Sequence, residues 1–132
     1  CCIFVIEILR EIKDKYKALD IECEIAEIDD TLIDVKPVVI LTPISERWIH
    51  DLLGNPSDKE VRFRIQVFKE HIEKEYDVEI EETLNQLKEI LKSNEIKKHI
   101  TTYLSTNITN ELIEENTTIL ITADINLKLH RR

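Results

Sequence analysis

Two carboxylates stand just after the most apolar short runs of the chain. Glu46 follows the run Val38–Leu41, and Asp124 follows the run Ile119–Ile121, with Asn126 two residues further on. Ligands of α/β proteins bind beyond the carboxyl ends of the sheet strands. If both runs are strands of one sheet, these side chains meet in a shared cleft, where they can bind a ligand or take part in a reaction.

Both runs have the composition of buried strands. Val38–Leu41 is short, uninterrupted and rich in β-branched residues, and Thr117–Thr122 has the same character. After the first run, Thr42-Pro43 is typical of an N-cap followed by proline at the first helical position. A helix is therefore predicted to begin there and to end at Gly54, which puts Glu46 in its first turn.

Apolar residues at spacings of three and four predict further helices. The predicted ranges are 5–19, 57–72, 80–91, 96–104 and 107–116. In the second range the alternation of Val61, Phe63 and Ile65 competes with the helical spacing, and the capping box of Ser57 and Glu60 favours the helix. Residues 20–34 fit a strand and a helix, and a helix is favoured.

Strands separated by helices pair in parallel through crossover connections. The predicted fold class is therefore α/β, a layered sandwich with a mostly parallel central sheet flanked by helices. A length of 132 residues fits one domain, so residues 1–132 are predicted to form a single domain.

The segments around the two acids resemble the second and last acidic motifs of PIN-domain ribonucleases. The matching segments are TPISE, residues 42–46, and ILITADINL, residues 119–127. In that family several acids gather around divalent ions, so the resemblance implies a PIN-like fold, a Mg²⁺ or Mn²⁺ cofactor and an RNA substrate. The metal would activate water for hydrolysis of a phosphodiester bond, the reaction of endoribonucleases in toxin–antitoxin and RNA-processing systems.

The resemblance carries over to particular residues. It assigns Glu46 and Asp124 to catalysis and metal binding, with Thr122 and Asn126 beside the last acid. At the position of the third acid, the oxygen ligands that this chain offers are Asn107, Asn110 and Glu111. The first acid would lie upstream of Cys1, and the sequence contains no Met, so we expect a fragment of a PIN-like domain without its first strand.

Composition limits the partners. The net charge of −9 disfavours a broad basic surface for nucleic acid, although RNA can still meet a small acidic site that holds a metal. Three cysteines, two of them adjacent, suit free thiols in a reducing cytoplasm. The apolar opening run of residues 1–6 is too short to cross a membrane, so no membrane partner is expected.

A non-catalytic function is the alternative hypothesis. The third acidic position lacks an Asp, which favours an α/β domain of the same architecture that associates through its helical faces, as a homodimer or with a protein partner. The two hypotheses differ in one geometric respect, because only the nuclease requires Glu46 and Asp124 to converge on one pocket.

Overall fold

A computed structural model describes residues 5–25, 38–50, 52–54, 56–71, 76–98, 100–113 and 117–130. Its helices are α1 (Val5–Ala18), α2 (Tyr76–Leu91) and α3 (Asn94–Lys97). Its strands are β1 (Glu22–Ile25), β2 (Val38–His50), β3 (Pro56–Glu70), β4 (Ile100–Ile113) and β5 (Thr118–His130). Within these ranges no helix combines the length and the apolar character that a membrane span requires.

The five strands form one mixed sheet in the order β1-β2-β3-β5-β4. Only β1 and β2 pair in parallel, and the other three ladders are antiparallel. The predicted fold class is therefore wrong, because the sheet is mostly antiparallel and its helices pack against one face. Strands β2 and β3, and strands β4 and β5, follow each other directly as hairpins, so they need no helical crossover.

Four predicted helices are mainly strands. The helix predicted from Thr42 to Gly54 is the second half of β2, and the helix predicted over 57–72 is β3. The helices predicted over 96–104 and 107–116 lie mostly in β4, with residues 114–116 outside the described part of the chain. In β3 the alternating pattern decides over the capping box, because β2 and β5 flank it and supply ladders on both of its edges. Gly54, with φ of 80°, lies in the turn between β2 and β3 instead of ending a helix.

Other predicted elements are confirmed. Helix α1 matches the range predicted for it, helix α2 contains the predicted range 80–91, and both apolar runs are strand segments. Of the ambiguous range, residues 22–25 form a strand, which contradicts the helix favoured for them, and residues 26–34 lie outside the described part of the chain.

The core lies between the helices and one face of the sheet, called here the helix face. Odd-numbered residues of β3 and β5 point into it, among them Phe63, Ile65 and Ile125, each at most 1% exposed. Helix α1 contributes Ile8 and Ile12, which are fully buried. The even-numbered residues of β3 and β5 consequently point to the opposite side, called here the outer face.

The outer face is apolar at only one end. There Val38, Ile40 and Phe68 form a small buried cluster, with Leu120 and Ile113 packed against it. The remainder of the outer face carries polar and charged side chains, so the two faces of the sheet differ in chemistry along most of their length.

Cys23 belongs to the core and is expected to be unreactive. It is 5% exposed, and burial raises the pKa of its thiol to about 12. Because the thiolate is the nucleophile, iodoacetamide at pH 8 should alkylate Cys23 only slowly in the native protein and readily after unfolding. Peptide mapping by mass spectrometry separates Cys23 from Cys1 and Cys2. Equal labelling of Cys23 in native and unfolded protein would contradict this burial.

Candidate functional site

The polar part of the outer face is organised in rows that cross the sheet. One row consists of Thr42, Arg64, Asp124 and Asn107, and the next of Ser45, Arg62, Asn126 and Ser105. Members of a row are cross-strand neighbours, whose Cβ atoms lie about 5 Å apart. The register of the three antiparallel ladders therefore brings side chains from four strands into one small area.

Arg64 and Asp124 form a two-point ion pair within the first row. Arg64 Nε donates to Asp124 Oδ1 at 2.7 Å, and Nη2 donates to Oδ2 at 3.3 Å. The hydrogen bond to Asp124 raises the pKa of Arg64 further above its usual value. Both side chains are about two-fifths exposed, so the pair fixes geometry and contributes little to stability.

A second charged group lies next to the second row. Arg47 donates to Glu60, whose side chain is only 9% exposed, and Arg62 Nη2 lies 3.7 Å from the same carboxylate. The hydrogen bond from Arg47 and then that from Asn126 hold the pKa of Glu60 below its usual value. Glu60 is therefore a fixed negative charge at one side of the area.

A shallow cleft of about 260 Å³ opens between the two rows. It is lined by Ile44, Arg62, Ser105, Asn107, Asp124, Ile125 and Asn126. Arg62 supplies a guanidinium that is 57% exposed, and Asp124 supplies a carboxylate that is 38% exposed. The cleft thus presents one cation, one anion and three neutral hydrogen-bonding side chains.

Asn126, which lines this cleft, has a buried side-chain oxygen without a hydrogen-bond partner among the described residues. Its amide donates to Glu60, and that bond fixes which end of the side chain is nitrogen. The other end, Oδ1, is buried and accepts no hydrogen bond from the described residues. A buried acceptor without a donor carries a free-energy cost of about 1–3 kcal/mol.

The structure brings together three of the residues predicted for a site. Asp124, Asn107 and Asn126 line the same cleft. Thr122 also points to the outer face, one row away from Asp124 and opposite Gln66. The sequence analysis placed Asp124 and Asn126 just after a strand and Asn107 at the start of a helix, whereas all three lie within long strands.

The other predicted residues lie elsewhere. Glu111 is opposite Leu120, beside the apolar end of the outer face. Asn110 points to the helix face, where its Oδ1 accepts a hydrogen bond from the Tyr76 hydroxyl at 3.0 Å. Neither side chain lines the cleft.

Glu46 lies on the opposite side of the sheet from Asp124. It accepts a hydrogen bond from the backbone N–H of Val5, at the start of α1, and lies 3.2 Å from Lys59 Nζ. The shared pocket predicted for Glu46 and Asp124 is therefore absent from the described residues. Strand β3 runs between the two strands that carry them.

The described residues do not fit a divalent metal ion. No three His, Cys, Asp or Glu side chains among them lie close enough to hold one. The cleft offers a single carboxylate, and Asp124 is already bound by Arg64, whereas Mg²⁺ and Mn²⁺ require several oxygen ligands. RNA cleavage with either ion stays a prediction, and no step of it follows from this geometry.

Sequence reasoning missed two residues of the cleft, Arg62 and Ser105, and the role of Arg64. A signal for the arginines was present, since the residues from Glu60 to Gln66 alternate charged or polar with apolar ones. Read with a period of two, that pattern puts both arginines on one face of a strand. The position of Ser105 next to Asn126 follows only from the register of β4 with β5, which the sequence pattern does not predict.

A separate polar cluster joins α2 to the sheet. His71 Nδ1 lies 2.8 Å from Glu79 Oε2, and the His71 ring meets the Tyr76 ring edge-on at a centroid distance of 5.8 Å. Glu79 is 5% exposed. This cluster explains how a carboxylate is accommodated on the buried side of α2, because the imidazole provides its hydrogen-bond partner.

Comparison with known proteins adds one partial likeness. No family model matches the chain. Over 91 residues it is 33% identical to argininosuccinate lyase of Methanocaldococcus jannaschii, a match that takes in 66% of this chain and 19% of the lyase. The chain therefore spans about a fifth of the length of this curated relative.

Proposed function

We propose that the outer-face cleft binds a small ligand that carries both a carboxylate and a guanidino or amino group. The observation that carries this proposal is the placement of the exposed Arg62 guanidinium and the Asp124 carboxylate in one cleft. Along β5, Asp124 and the Asn126 that faces Arg62 are two residues apart, or about 7 Å. That spacing suits the two ends of a small zwitterion.

Arg62 is the group that would bind the ligand's carboxylate. A guanidinium presents its donors in a planar fork that matches a carboxylate. The 3.7 Å between Arg62 and Glu60 exceeds hydrogen-bond length, so the guanidinium can turn its donors towards a ligand. Arg64 does not have this freedom, because it is bound to Asp124 at two points.

Asp124, Asn107 and Asn126 would bind the cationic group. A carboxylate has about four lone-pair sites, and the two bonds from Arg64 leave acceptor capacity on Asp124. Asn107 and Asn126 line the cleft beside Asp124 and would contribute amide groups to the same subsite. Binding, without a chemical step, is proposed because the only carboxylate of the cleft is held by Arg64.

The partial likeness to a lyase supports the ligand class. Argininosuccinate, the compound in that enzyme's name, carries carboxylates, an amino group and a substituted guanidine. Since the likeness covers 19% of the lyase, we propose the class of ligand and not the lyase reaction. We further propose that the chain acts in the cytoplasm, which suits the free thiol of Cys23.

Titration calorimetry tests this proposal. Arginine and argininosuccinate should bind, whereas succinate and agmatine, each lacking one of the two groups, should bind much more weakly. Arg62→Gln and Asp124→Asn should each weaken binding roughly tenfold to a hundredfold, the effect of about 1.5–3 kcal/mol for a hydrogen bond to a charged group.

Lys128→Gln is the matched control for Arg62→Gln. It removes one positive charge from the same outer face, but Lys128 pairs with Asp58 and does not line the cleft. Lys128→Gln should bind arginine and argininosuccinate as tightly as the wild type does. The proposal fails if neither compound binds, or if Arg62→Gln binds as tightly as Lys128→Gln.

A further inference from the structure

The outer edge of β4 has the properties of a strand that pairs with another strand. Among the described residues β4 ends the sheet, with β5 on one side only, and it is 14 residues long. All residues from 103 to 112 are exposed. A long free edge exposes unpaired backbone N–H and C=O groups, and monomeric proteins block such edges with charges, proline, β-bulges or a covering segment.

The usual blocking residues are almost absent from β4. The strand contains neither Lys, Arg nor Pro, and Glu111 is its one charged residue. Two irregularities lie near its start, between Ile100 and Thr102 and between Tyr103 and Ser105, after which the pairing with β5 is regular. From Ser105 to Ile113 the strand is therefore regularly paired with β5, and it is almost uncharged in a chain whose net charge is −9.

Three exposed apolar side chains of β4 are spaced symmetrically about Ile108. Leu104, Ile108 and Leu112 follow each other at intervals of four and are 46%, 36% and 37% exposed. If two copies pair antiparallel with Ile108 opposite Ile108, each Leu112 comes next to Leu104 of the other copy, which lies at the irregularity between Tyr103 and Ser105. Apolar residues then meet apolar residues throughout this set, which stabilises the pairing.

The same register avoids repulsion. Glu111 lies opposite Ser105 of the other copy, and the two Glu111 carboxylates are on the order of 20 Å apart along the strands. Like charges that face each other across strands are destabilising, and this register has none. We infer that β4 pairs with β4 of a second copy of this chain, which makes a symmetric dimer with a continuous ten-stranded sheet.

The symmetry of this dimer determines where the other surfaces lie. Two antiparallel strands in one sheet are related by a two-fold axis perpendicular to the sheet, so both copies keep their helices on the same side. Both outer faces, with their clefts, then lie on the other side. The dimer does not depend on ligand binding at the cleft.

Sedimentation equilibrium tests the dimer on the full chain. The mass should rise with concentration from 15.6 kDa towards twice that value. Because each copy carries net charge −9, added salt should screen the repulsion and strengthen association. A mass that stays monomeric at every concentration and salt level, or one that grows beyond a dimer, would overturn the inference.

Ile108→Lys tests the surface itself. It puts two cations opposite each other at the symmetry axis and should raise the dissociation constant at least roughly tenfold. Val78→Lys is the matched control, because Val78 is 43% exposed on α2 and the charge change is the same. A general charge effect would strengthen association in both variants, since each reduces the net negative charge. Equal association of the two variants would contradict the role of β4.

A cross-link gives a second readout that does not depend on the stability of Ile108→Lys. Directly opposite residues of an antiparallel pair have Cα atoms about 4.5–5.5 Å apart, within the range that a disulfide spans. In a background with Cys1 and Cys2 replaced by Ser, mild oxidation should convert Ile108→Cys to a covalent dimer and leave Val78→Cys monomeric. The absence of a cross-link at position 108 would overturn the proposed register.

Discussion

Replacement of Phe63 by alanine is expected to lower the free energy of unfolding by about 3–5 kcal/mol. Phe63 is fully buried in the middle of β3, between Pro43 of β2 and Ile125 of β5. The truncation leaves a cavity that two flanking strands and the helices above cannot close. Urea unfolding followed by circular dichroism measures the change.

Gln66→Ala is the control on the same strand. Gln66 points to the outer face, so its truncation should change the free energy of unfolding by no more than about 0.5 kcal/mol. Comparison of the two variants also shows whether this segment is a strand or the predicted helix. A helix that buries Val61 and Ile65 would turn Phe63 towards solvent. A small effect of Phe63→Ala would therefore contradict the observed strand.

The second large effect is expected for Glu46→Ala, at about 3 kcal/mol of lost stability. Lys59 is 2% exposed, with Glu46 Oε1 3.2 Å from its ammonium group and the Trp48 ring 5.3 Å away. Removal of Glu46 takes a counter-charge away from a buried cation and also a hydrogen-bond acceptor from the N–H of Val5. Thermal and urea unfolding measure the loss.

Two further variants show whether burial is the cause. The double variant Glu46→Ala, Lys59→Met should recover much of the stability, because it leaves no cation in the core. Asp124→Ala breaks an exposed pair and should cost no more than about 1 kcal/mol. If Mn²⁺ raises the melting temperature of the wild type and Glu46→Ala abolishes that rise, Glu46 is a metal ligand and its structural assignment is wrong.

Part of the fold could be predicted from the sequence because some local patterns have one interpretation only. In α1, apolar residues occur at spacings of three as well as four, as Leu9, Ile12 and Tyr16 illustrate, and only a helix puts residues three apart on one side. The run at 38–41 is too short and too rich in Val and Ile for anything but a buried strand.

The segments 57–72 and 100–113 could not be assigned in this way. Residues four apart lie on the same side of a helix and also on the same side of a strand, because four is close to one helical turn and is a multiple of two. The series Ile100, Leu104, Ile108 and Leu112 therefore fits both structures. Whether this series forms a helix or a strand depends on its pairing with β5. The local pattern of residues carries no information about that partner.

The position of Glu46 was unpredictable for a related reason. Val38, Ile40 and Thr42 point to the outer face, and strict alternation would put Glu46 there as well. A β-bulge between Pro43 and Ser45 adds one residue and inverts the alternation, so Glu46 points to the helix face. Asp124 and Asn126 reach the cleft because β5 has no such interruption in its pairing with β3.

The four long strands of the sheet form two hairpins, β2–β3 and β4–β5, which are joined along the β3–β5 ladder, and this arrangement has a kinetic consequence. Each hairpin closes a short loop, whereas the β3–β5 seam joins residues such as Arg64 and Asp124 that are 60 positions apart. Closing so large a loop has an entropic cost before its contacts form. We therefore expect the docking of the two hairpins to limit the rate of folding, and substitutions along the seam to slow refolding more than substitutions within either hairpin's own ladder.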